Sequence, residues 1–366
     1  MYKAGLLFLG FIFQAQLLYS QTFIKEAMNS FALYTKSHDF AQLEKAKKNI
    51  DDAYKTRKDS SSSRNNLIRS MVYSSLATAD TARKLSYKKD PIEEAMFSAD
   101  QLSDKKFNED HDSEINFIRK QLANGLILRA NKLLKKSDMK GAFNSYRMAD
   151  SLSSGDILIK HNIALLCERL GYTPQAISYY EQLIETKKRL PEYYMSLSGL
   201  YQLSGDANRS LKALQNGHTA FPKSKDLLLA QLNIFADNKM YNAIVSLIDE
   251  AVALDPDNKD IYYLAGFAYD MAGNFSLAEK YYKKLITLDP GNYNGNYSLG
   301  LLNLSSYLGS GANKDKLLAN ATQYLAKAHE INPNAIKTLK SLAILYRTKG
   351  DTVQLDSVNN KINRLN

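Results

Sequence analysis

A 34-residue spacing recurs along most of this chain and limits the folds that it can adopt. Pro222, Pro256 and Pro290 each lie 34 residues apart, and the same interval separates Gly171 from Gly205. A fixed period of about 20 to 50 residues indicates a stack of similar units, each of which buries its apolar side on its neighbour. We therefore expect a repeat array rather than one globular core.

The clearest copy of the repeated unit lies between Asp257 and Pro290. Its two halves read Tyr262-x2-Ala265-Gly266-x2-Tyr269 and Ala278-x3-Tyr282. Residues three and four positions apart share one face of a helix, so each half predicts an apolar stripe on its own helix. Gly266 and Ala278 have almost no side chain, which lets two helix backbones approach closely. Gly273-Asn274 separates the two helices, and Pro290 ends the second one.

This pattern resembles the tetratricopeptide repeat, a helix–turn–helix unit with the pattern W-x2-L-G-x2-Y, A-x3-F and P. Here Tyr262 stands in place of Trp and Ala265 in place of Leu, while the other positions agree in type and spacing. The resemblance implies an all-α fold, a right-handed superhelical solenoid of antiparallel helix pairs. It also implies that the first helix of each pair lines a concave groove.

Further copies extend the array in both directions. Ala142-x3-Tyr146 and Ala176-x3-Tyr180 precede the clearest copy, and Ala321-x3-Leu325 follows it. Pro290 and Pro333 are 43 residues apart, so this unit carries nine additional residues, which are expected to form a loop or a lengthened helix pair. We predict about nine helix pairs in total, with repeats over residues 113–350 and a C-terminal capping helix over residues 351–366.

The N-terminal part follows the helical period without the repeat signature. Residues 21–112 are expected to form the first two, degenerate helix pairs, with stripes such as Leu43, Ala46, Ile50 and Ala53. Two polar stretches, Lys55 to Ser63 and Asn108 to Glu114, are expected to be loops.

Residues 1–20 are typical of a secretory signal peptide, with Lys3, an apolar run from Leu6 to Leu18, and a cleavage site expected after Ser20. The alternative is an uncleaved membrane anchor, but the apolar run is shorter than the roughly 20 residues that span a bilayer. The leader resembles those of exported proteins of the Bacteroidota. We expect a soluble periplasmic or extracellular protein with no integral membrane span after cleavage.

Charge and cysteine content weigh against several classes of function. The formal net charge is +10, and removal of residues 1–20, which contain one lysine and no carboxylate, leaves +9. This charge is dispersed, so it favours solubility and predicts no nucleic-acid partner. Cys167 is the only cysteine, and its apolar neighbours indicate a buried structural residue rather than a nucleophile.

Patterns that carry catalysis or bind metals are absent from the sequence. None of the five histidines has a second ligand at metal-binding spacing within a recognisable motif. Adjacent carboxylates such as Asp51-Asp52 and Glu93-Glu94 are interpreted as solvated charge on helix faces. The sequence therefore predicts no cofactor, no metal site and no enzymatic activity.

The candidate site is the helix face beside the packed stripe. In the clearest copy, spacings of 3, 4 and 3 residues place four side chains together about 100° around the helix from Tyr262. Because the resemblance implies that first helices line a groove, these four and their counterparts form the candidate partner-binding set: Asn131, His161, Asn233, Asp260, Tyr263, Phe267, Asp270 and Tyr297. The alternative is that Tyr263, Phe267 and Tyr297 pack between adjacent first helices.

Two classes of function follow from these observations. The first is a non-enzymatic scaffold in the cell envelope, which binds a peptide or a partner helix in the groove. The second is an enzyme or a carbohydrate-binding protein that uses the solenoid as a platform. The absence of a catalytic pattern favours the first. Some family members clamp a terminal carboxylate with lysines and asparagines, and the basic partners of such a clamp are missing from the groove positions of this chain.

Overall fold

The computed structural model describes residues 21–153, 155–309 and 313–365. Within these ranges the chain consists of α-helices and short connections, with no strand. The predicted all-α fold of helix pairs is therefore confirmed. The predicted leader, residues 1–20, lies outside the described ranges. None of the helices in those ranges is long and apolar enough to cross a bilayer.

The chain divides into two compact units. Unit 1 ends at Arg189, and its helices are α1 (residues 21–37), α2 (Phe40–Asp52), α3 (Arg57–Ser60), α4 (Ser63–Ala79), α5 (Pro91–Asp100), α6 (Lys105–Asp110), α7 (Asp112–Lys135), α8 (Met139–Leu152), α9 (Ile157–Leu170) and α10 (Thr173–Ile184). Unit 2 begins at Leu190, and its helices are α11 (Pro191–Leu203), α12 (Ala207–Ala220), α13 (Lys225–Asp237), α14 (Tyr241–Leu254), α15 (Lys259–Met271), α16 (Phe275–Leu288), α17 (Tyr293–Leu308), α18 (Lys314–Ile331), α19 (Ile336–Lys349) and α20 (Thr352–Leu365).

Successive helices pack as pairs from α7 to α10 in unit 1 and from α11 to α20 in unit 2. Upstream, α4 packs on both α2 and α5, in the region of the predicted degenerate pairs. The nine additional residues lengthen one pair. α17 and α18 have 16 and 18 residues, against 13 and 14 in α15 and α16.

The two polar stretches predicted to be loops contain helix. α3 lies within the stretch from Lys55 to Ser63, and it begins at a capping box in which the side chains and backbone amides of Thr56 and Asp59 bond reciprocally. The second stretch is divided between α6 and α7, with Asp104 accepting a hydrogen bond from the Phe107 amide. Both helices start at local polar caps, which an apolar period does not reveal.

The turn between the two helices of a pair has the same backbone geometry in nearly every repeat. A residue with positive φ recurs at 34-residue intervals, namely Ser137, Gly171, Gly205, Lys239 and Gly273, and again at Gly350. The amide after each of these residues donates to a carbonyl five positions earlier, as Asn274 does to Tyr269 at 2.8 Å. This bond closes the end of the first helix in the Schellman manner. Positive φ is costly for residues with a Cβ, so Ser137 and Lys239 are the strained copies.

The two helices of a repeat touch where side chains are smallest. A Cβ added to Gly266 would lie 2.5 Å from the Tyr282 ring, and one added to Gly300 would lie 2.7 Å from Leu325. In the α11–α12 pair, Ser198 and Ser210 lie 68 residues before Gly266 and Ala278, and their buried hydroxyls are hydrogen bonded at 2.7 Å. The close approach inferred from Gly266 is therefore present.

A buried ion cluster holds the N-terminal helices together. The Arg69 side chain on α4, only 9% exposed, pairs with Asp51 on α2 at 2.6 Å and with Glu94 on α5 at 3.1 Å. Its guanidinium lies between the rings of Tyr54 and Tyr73, 4.5 Å from each centroid. The interpretation of Asp51 and Glu94 as solvated charges is thus wrong, because Arg69 draws both carboxylates into a contact among three helices.

Replacement of Lys239 by glycine should stabilise the fold. Glycine adopts positive φ without the steric cost that a side chain carries, and the Lys239 side chain is exposed. We expect the free energy of unfolding to rise by about 0.5–1 kcal/mol after allowing for the larger entropy of the unfolded glycine chain. Urea denaturation followed by circular dichroism measures the change. The reciprocal control, Gly273→Ala, should destabilise by a similar amount, and a stabilising effect of that control would contradict this account of the turn.

Two helical glycines should respond in opposite ways to alanine. Gly266→Ala forces the Tyr282 ring away and is expected to cost about 1–3 kcal/mol of unfolding free energy. Gly199 lies within α11, where an added Cβ would meet no atom within 4 Å. Gly199→Ala should therefore stabilise the fold by about 0.5–1 kcal/mol through helix propensity. Thermal melts of both variants test the pair. Equal shifts in melting temperature would rule out close backbone approach as the reason for Gly266.

Loss of Arg69 should leave two carboxylates without their buried partner. We expect Arg69→Leu to cost about 3–5 kcal/mol, whereas Lys55→Leu, which removes an exposed ion pair with Asp52, should cost less than about 1 kcal/mol. The measurement is urea unfolding at neutral pH. If both variants unfold at the same urea concentration, the cluster contributes no more than a surface pair.

The same cluster gives stability a defined pH dependence. Desolvation alone raises the pKa of Asp51, but hydrogen bonds from Tyr73, Lys47 and Arg69 outweigh it and lower the pKa below 3.8. A carboxyl with a lowered pKa in the folded chain stabilises the fold above its unfolded pKa, and that contribution is lost as pH falls through the folded value. Urea unfolding repeated from about pH 5 to about pH 2 should show a smaller loss of stability in Arg69→Leu than in the parent chain.

Candidate functional site

The candidate site lies on the exposed side of the first helices of unit 2, here named the first-helix face: the solvent-facing residues of α11, α13, α15, α17 and α19. Neighbouring first helices contact each other. α11 contacts α13, and α17 contacts both α15 and α19. Equivalent positions are 34 residues apart up to α17 and 43 residues apart from α17 to α19. Side chains at equivalent positions therefore form rows that run across successive helices.

Tyr263 and Phe267 are half-buried on α15. Their rings stack at 6.3 Å, Tyr263 lies 6.3 Å from Tyr282, and Phe267 makes an edge contact with Tyr241 at 5.7 Å. Both rings pack against a cluster that includes Leu299 of the next pair. Each ring therefore contributes to the packing between helix pairs and keeps part of its surface in solvent.

Tyr297 occupies the position on α17 that Tyr263 occupies on α15. It is half-buried and stacks on Tyr293 at 5.9 Å, with the rings almost parallel. The Lys337 ammonium of α19 lies 5.1 Å from the Tyr293 ring and 4.8 Å from the Tyr297 ring. Cation–π attraction of this kind links α17 with α19 on the first-helix face.

Polar residues of the predicted set flank these rings. Asp260 is exposed in the first turn of α15, and Asn233 is exposed on α13. Asp270 is half-buried near the end of α15, and burial raises the pKa of its carboxyl above 3.8. Among the described residues, no basic side chain lies within ion-pair distance of Asp260 or Asp270.

Two residues of the predicted set, Asn131 and His161, lie in unit 1. Asn131 is exposed on α7, and its side-chain oxygen accepts a hydrogen bond of 2.7 Å from the Tyr146 hydroxyl of α8. His161 is half-buried on α9. The remaining six, Asn233, Asp260, Tyr263, Phe267, Asp270 and Tyr297, share the first-helix face of unit 2.

Sequence reasoning missed the contribution of α19 to this face. Ile344 is 45% exposed and occupies the position of Phe267 and of Leu301, which is 38% exposed. Lys337 and Lys340 precede it on the same side of the helix. All three follow from the sequence when equivalent positions on α17 and α19 are taken to be 43 rather than 34 residues apart.

Groups suited to metal or thiol chemistry are not found in the part of the chain that the structure describes. No cluster of three or more His, Cys, Asp or Glu side chains there could hold a metal ion. Burial raises the pKa of the Cys167 thiol to about 11, so the thiolate is scarce at neutral pH.

Comparison with known proteins identifies the repeat. Models of the tetratricopeptide repeat match residues 159–192, which contain α9 and α10 almost entirely, and residues 260–292, which contain nearly all of α15 and α16. No curated protein matches the chain.

Solved structures that resemble the chain are also repeat proteins. The C-terminal part of a TPR repeat-containing protein from Cytophaga hutchinsonii is 16% identical and covers 65% of this chain and 94% of its own, with a TM-score of 0.52. MamA from Desulfovibrio magneticus RS-1 is 21% identical over 50% of this chain and 98% of its own, with a TM-score of 0.40. YrrB, described as a TPR protein with an unusual peptide-binding site, is 17% identical over 52% and 96%, with a TM-score of 0.39.

The first of these similarities shows a shared fold and nothing more specific. The two matched segments coincide with helix pairs whose turn geometry and small buried residues recur in most of the other pairs. Residues 159–192 and 260–292 therefore match the tetratricopeptide repeat, and the chain has the fold of a protein built from such repeats.

Proposed function

We propose that this protein is a non-enzymatic interaction scaffold, and that the first-helix face of unit 2 binds one extended peptide or partner helix. The observation that carries this proposal is the row formed by Phe267, Leu301 and Ile344, with Tyr263 and Tyr297 beside it. These side chains lie on three successive first helices and keep part of their apolar surface in solvent. Aromatic and aliphatic anchors of this kind supply much of the energy of peptide recognition.

The dimensions of the face suit a short segment. Five first helices span four steps, and packed helices are about 8–10 Å apart, which gives roughly 32–40 Å. An extended chain advances about 3.3 Å per residue, so a segment of about 10–12 residues reaches from α11 to α19.

We also propose that the protein is exported and that its partner lies in the cell envelope. The support is the leader in residues 1–20, with its apolar run and the serine before Gln21. Partner binding in that compartment is consistent with a dispersed positive charge and with a fold that has only one cysteine.

Export makes a prediction about the N-terminus. Intact-mass measurement and N-terminal sequencing of the protein purified from its native envelope fraction should give a chain that starts at or near Gln21. A chain that still starts at Met1 would contradict export by a cleaved leader, while leaving the proposal about the first-helix face untouched.

The binding proposal is tested with a phage-displayed library of random peptides of about 12 residues, selected on the purified chain. We expect enriched peptides whose affinity falls roughly 5- to 100-fold in Phe267→Ala, the range for truncation of an anchor residue. Phe275→Ala is the matched control, because Phe275 is 54% exposed on the second helix α16, away from the first-helix face.

Circular dichroism must show that Phe267→Ala is folded, since Phe267 also packs against Tyr241. Ile344→Ala, which removes a more exposed side chain, provides a second variant with less effect on packing. Selection that enriches no peptide, or peptides that bind all three variants equally, would overturn the binding proposal.

A further inference from the structure

Charged side chains are ordered along the first-helix face. The first-turn position holds, from α11 to α19, Glu192, Asp226, Asp260, Asn294 and Lys337, and all five are exposed. We infer that the face takes a single partner segment with separated charges, whose basic residues lie over α11 to α15 and whose acidic residues lie over α19. This inference rests on the proposed function, and it adds the charge order of the partner.

Glu192, Asp226 and Asp260, the first-turn acids of α11, α13 and α15, form the acidic end of the face, and the basic neighbours of the last two pair elsewhere. Lys225 and Lys259, the immediate neighbours of Asp226 and Asp260, pair instead with Asp255 and Asp289, at 3.3 and 3.2 Å. Among the described residues, no ion pair forms to the first-turn acids of α11, α13 and α15. A partner with Lys or Arg at this end would supply the missing opposite charge.

Asp270 strengthens this end of the site. It lies on the same helix as Asp260 and on the same side, ten positions further on, and it is half-buried beside the aromatic rings. A carboxylate that is partly removed from water gains more from a cation than an exposed one does, because the surrounding dielectric screens the attraction less.

At the other end of the face, the charged residues of α19 are all basic. α19 contains Lys337, Lys340, Arg347 and Lys349 and no carboxylate. The first three and Ile344 are exposed at spacings of 3, 4 and 3 residues, so they form one stripe on the helix. None of these cations forms an ion pair in the described part of the chain, and Lys337 lies over the two aromatic rings of α17. An acidic stretch around an apolar residue complements this stripe.

α17, the helix between the acidic end and α19, contains no charged residue. Its exposed Asn294 and Leu301 and its half-buried Tyr297 form the middle part of the face, which Tyr263 and Phe267 extend on α15. A segment whose apolar residues lie over this middle part would have its basic residues over the acidic end and its acidic residues over α19. The same segment bound in the opposite direction would bring like charges together. Like-charge contacts disfavour the wrong arrangement.

The test uses the peptides selected from the same random library. Enriched sequences should carry basic residues in one half and acidic residues in the other, with apolar residues between them. The tightest peptide is then compared with an isomer of the same composition in which basic and acidic residues alternate. Fluorescence anisotropy should show that the isomer binds at least about tenfold more weakly, and that the difference shrinks at high salt.

A matched pair of protein variants assigns the basic end. Lys340→Glu should weaken the selected peptide at least about tenfold. Lys316→Glu, which changes net charge equally on the second helix α18, should leave its affinity within about twofold. In Lys340→Glu, a peptide whose acidic block is replaced by lysines should bind more tightly than the original.

The outcomes separate this inference from the proposed function. If selected peptides respond to Phe267→Ala but the alternating isomer binds as tightly as the original, the charge order is wrong and the binding face stands. Equal effects of Lys340→Glu and Lys316→Glu would show a response to net charge and would also overturn the inference. If no peptide responds to Phe267→Ala, the proposed function fails, and the charge order fails with it.

Discussion

The close contact between the two helices of each pair is the interaction on which the rest of this structure depends. Gly266 and Gly300 lie in this contact against Tyr282 and Leu325 of the second helices, and the small residues Ala278 and Ala321 lie one helical turn before those larger side chains. Upstream, the positions of Gly266 and Ala278 hold Ala130 and Ala142, Ala164 and Ala176, and Ser198 and Ser210, all of them buried. Small side chains let the backbones meet, and the larger residues around them, such as Tyr282 and Leu325, then fill the space beside the contact.

The α13–α14 pair shows what happens when this contact is lost. Its two positions hold Leu232 and Ile244, which are fully buried but much larger. The pair is in looser contact than its neighbours, and its turn places Lys239 rather than glycine at positive φ. It lies outside both segments that match the family. The array continues through this pair because Leu232 and Ile244 are fully buried in a cluster shared with α15 and α16.

The features that could be predicted from the sequence are those set by residues close together in the chain. The spacing of Tyr262, Gly266 and Ala278 predicts both helices and their contact, and Asn274 caps α16 through the Leu277 amide as its position suggests. The Arg69 cluster could not be predicted, because its partners lie 18 and 25 residues away on other helices. Register alone places Asn131 in the candidate site, whereas its bond to Tyr146 depends on the adjacent helix.

Sequence register could not decide whether Tyr263 and Phe267 are exposed or packed between repeats, because each ring is partly packed and partly in solvent. Tyr263 and Phe267 have part of their area in the cluster between pairs and part in solvent. Sequence spacing places them on one side of α15, but the depth to which each ring sinks depends on Tyr282 and Tyr241, which come from other helices. The alternatives of an exposed strip and of inter-repeat packing each describe part of the same side chains.

This double role connects recognition with stability. A partner that covers Phe267 removes from water the remaining surface of a ring that already holds α15 against Tyr241, the first residue of α14. Because each repeat contacts mainly its neighbours, the added burial acts locally, on the boundary between the α13–α14 and α15–α16 pairs. That boundary adjoins the α13–α14 pair, whose two backbones approach each other least closely among the repeat pairs. Binding on the first-helix face would therefore stabilise the boundary beside the pair in which Leu232 and Ile244 replace the small residues.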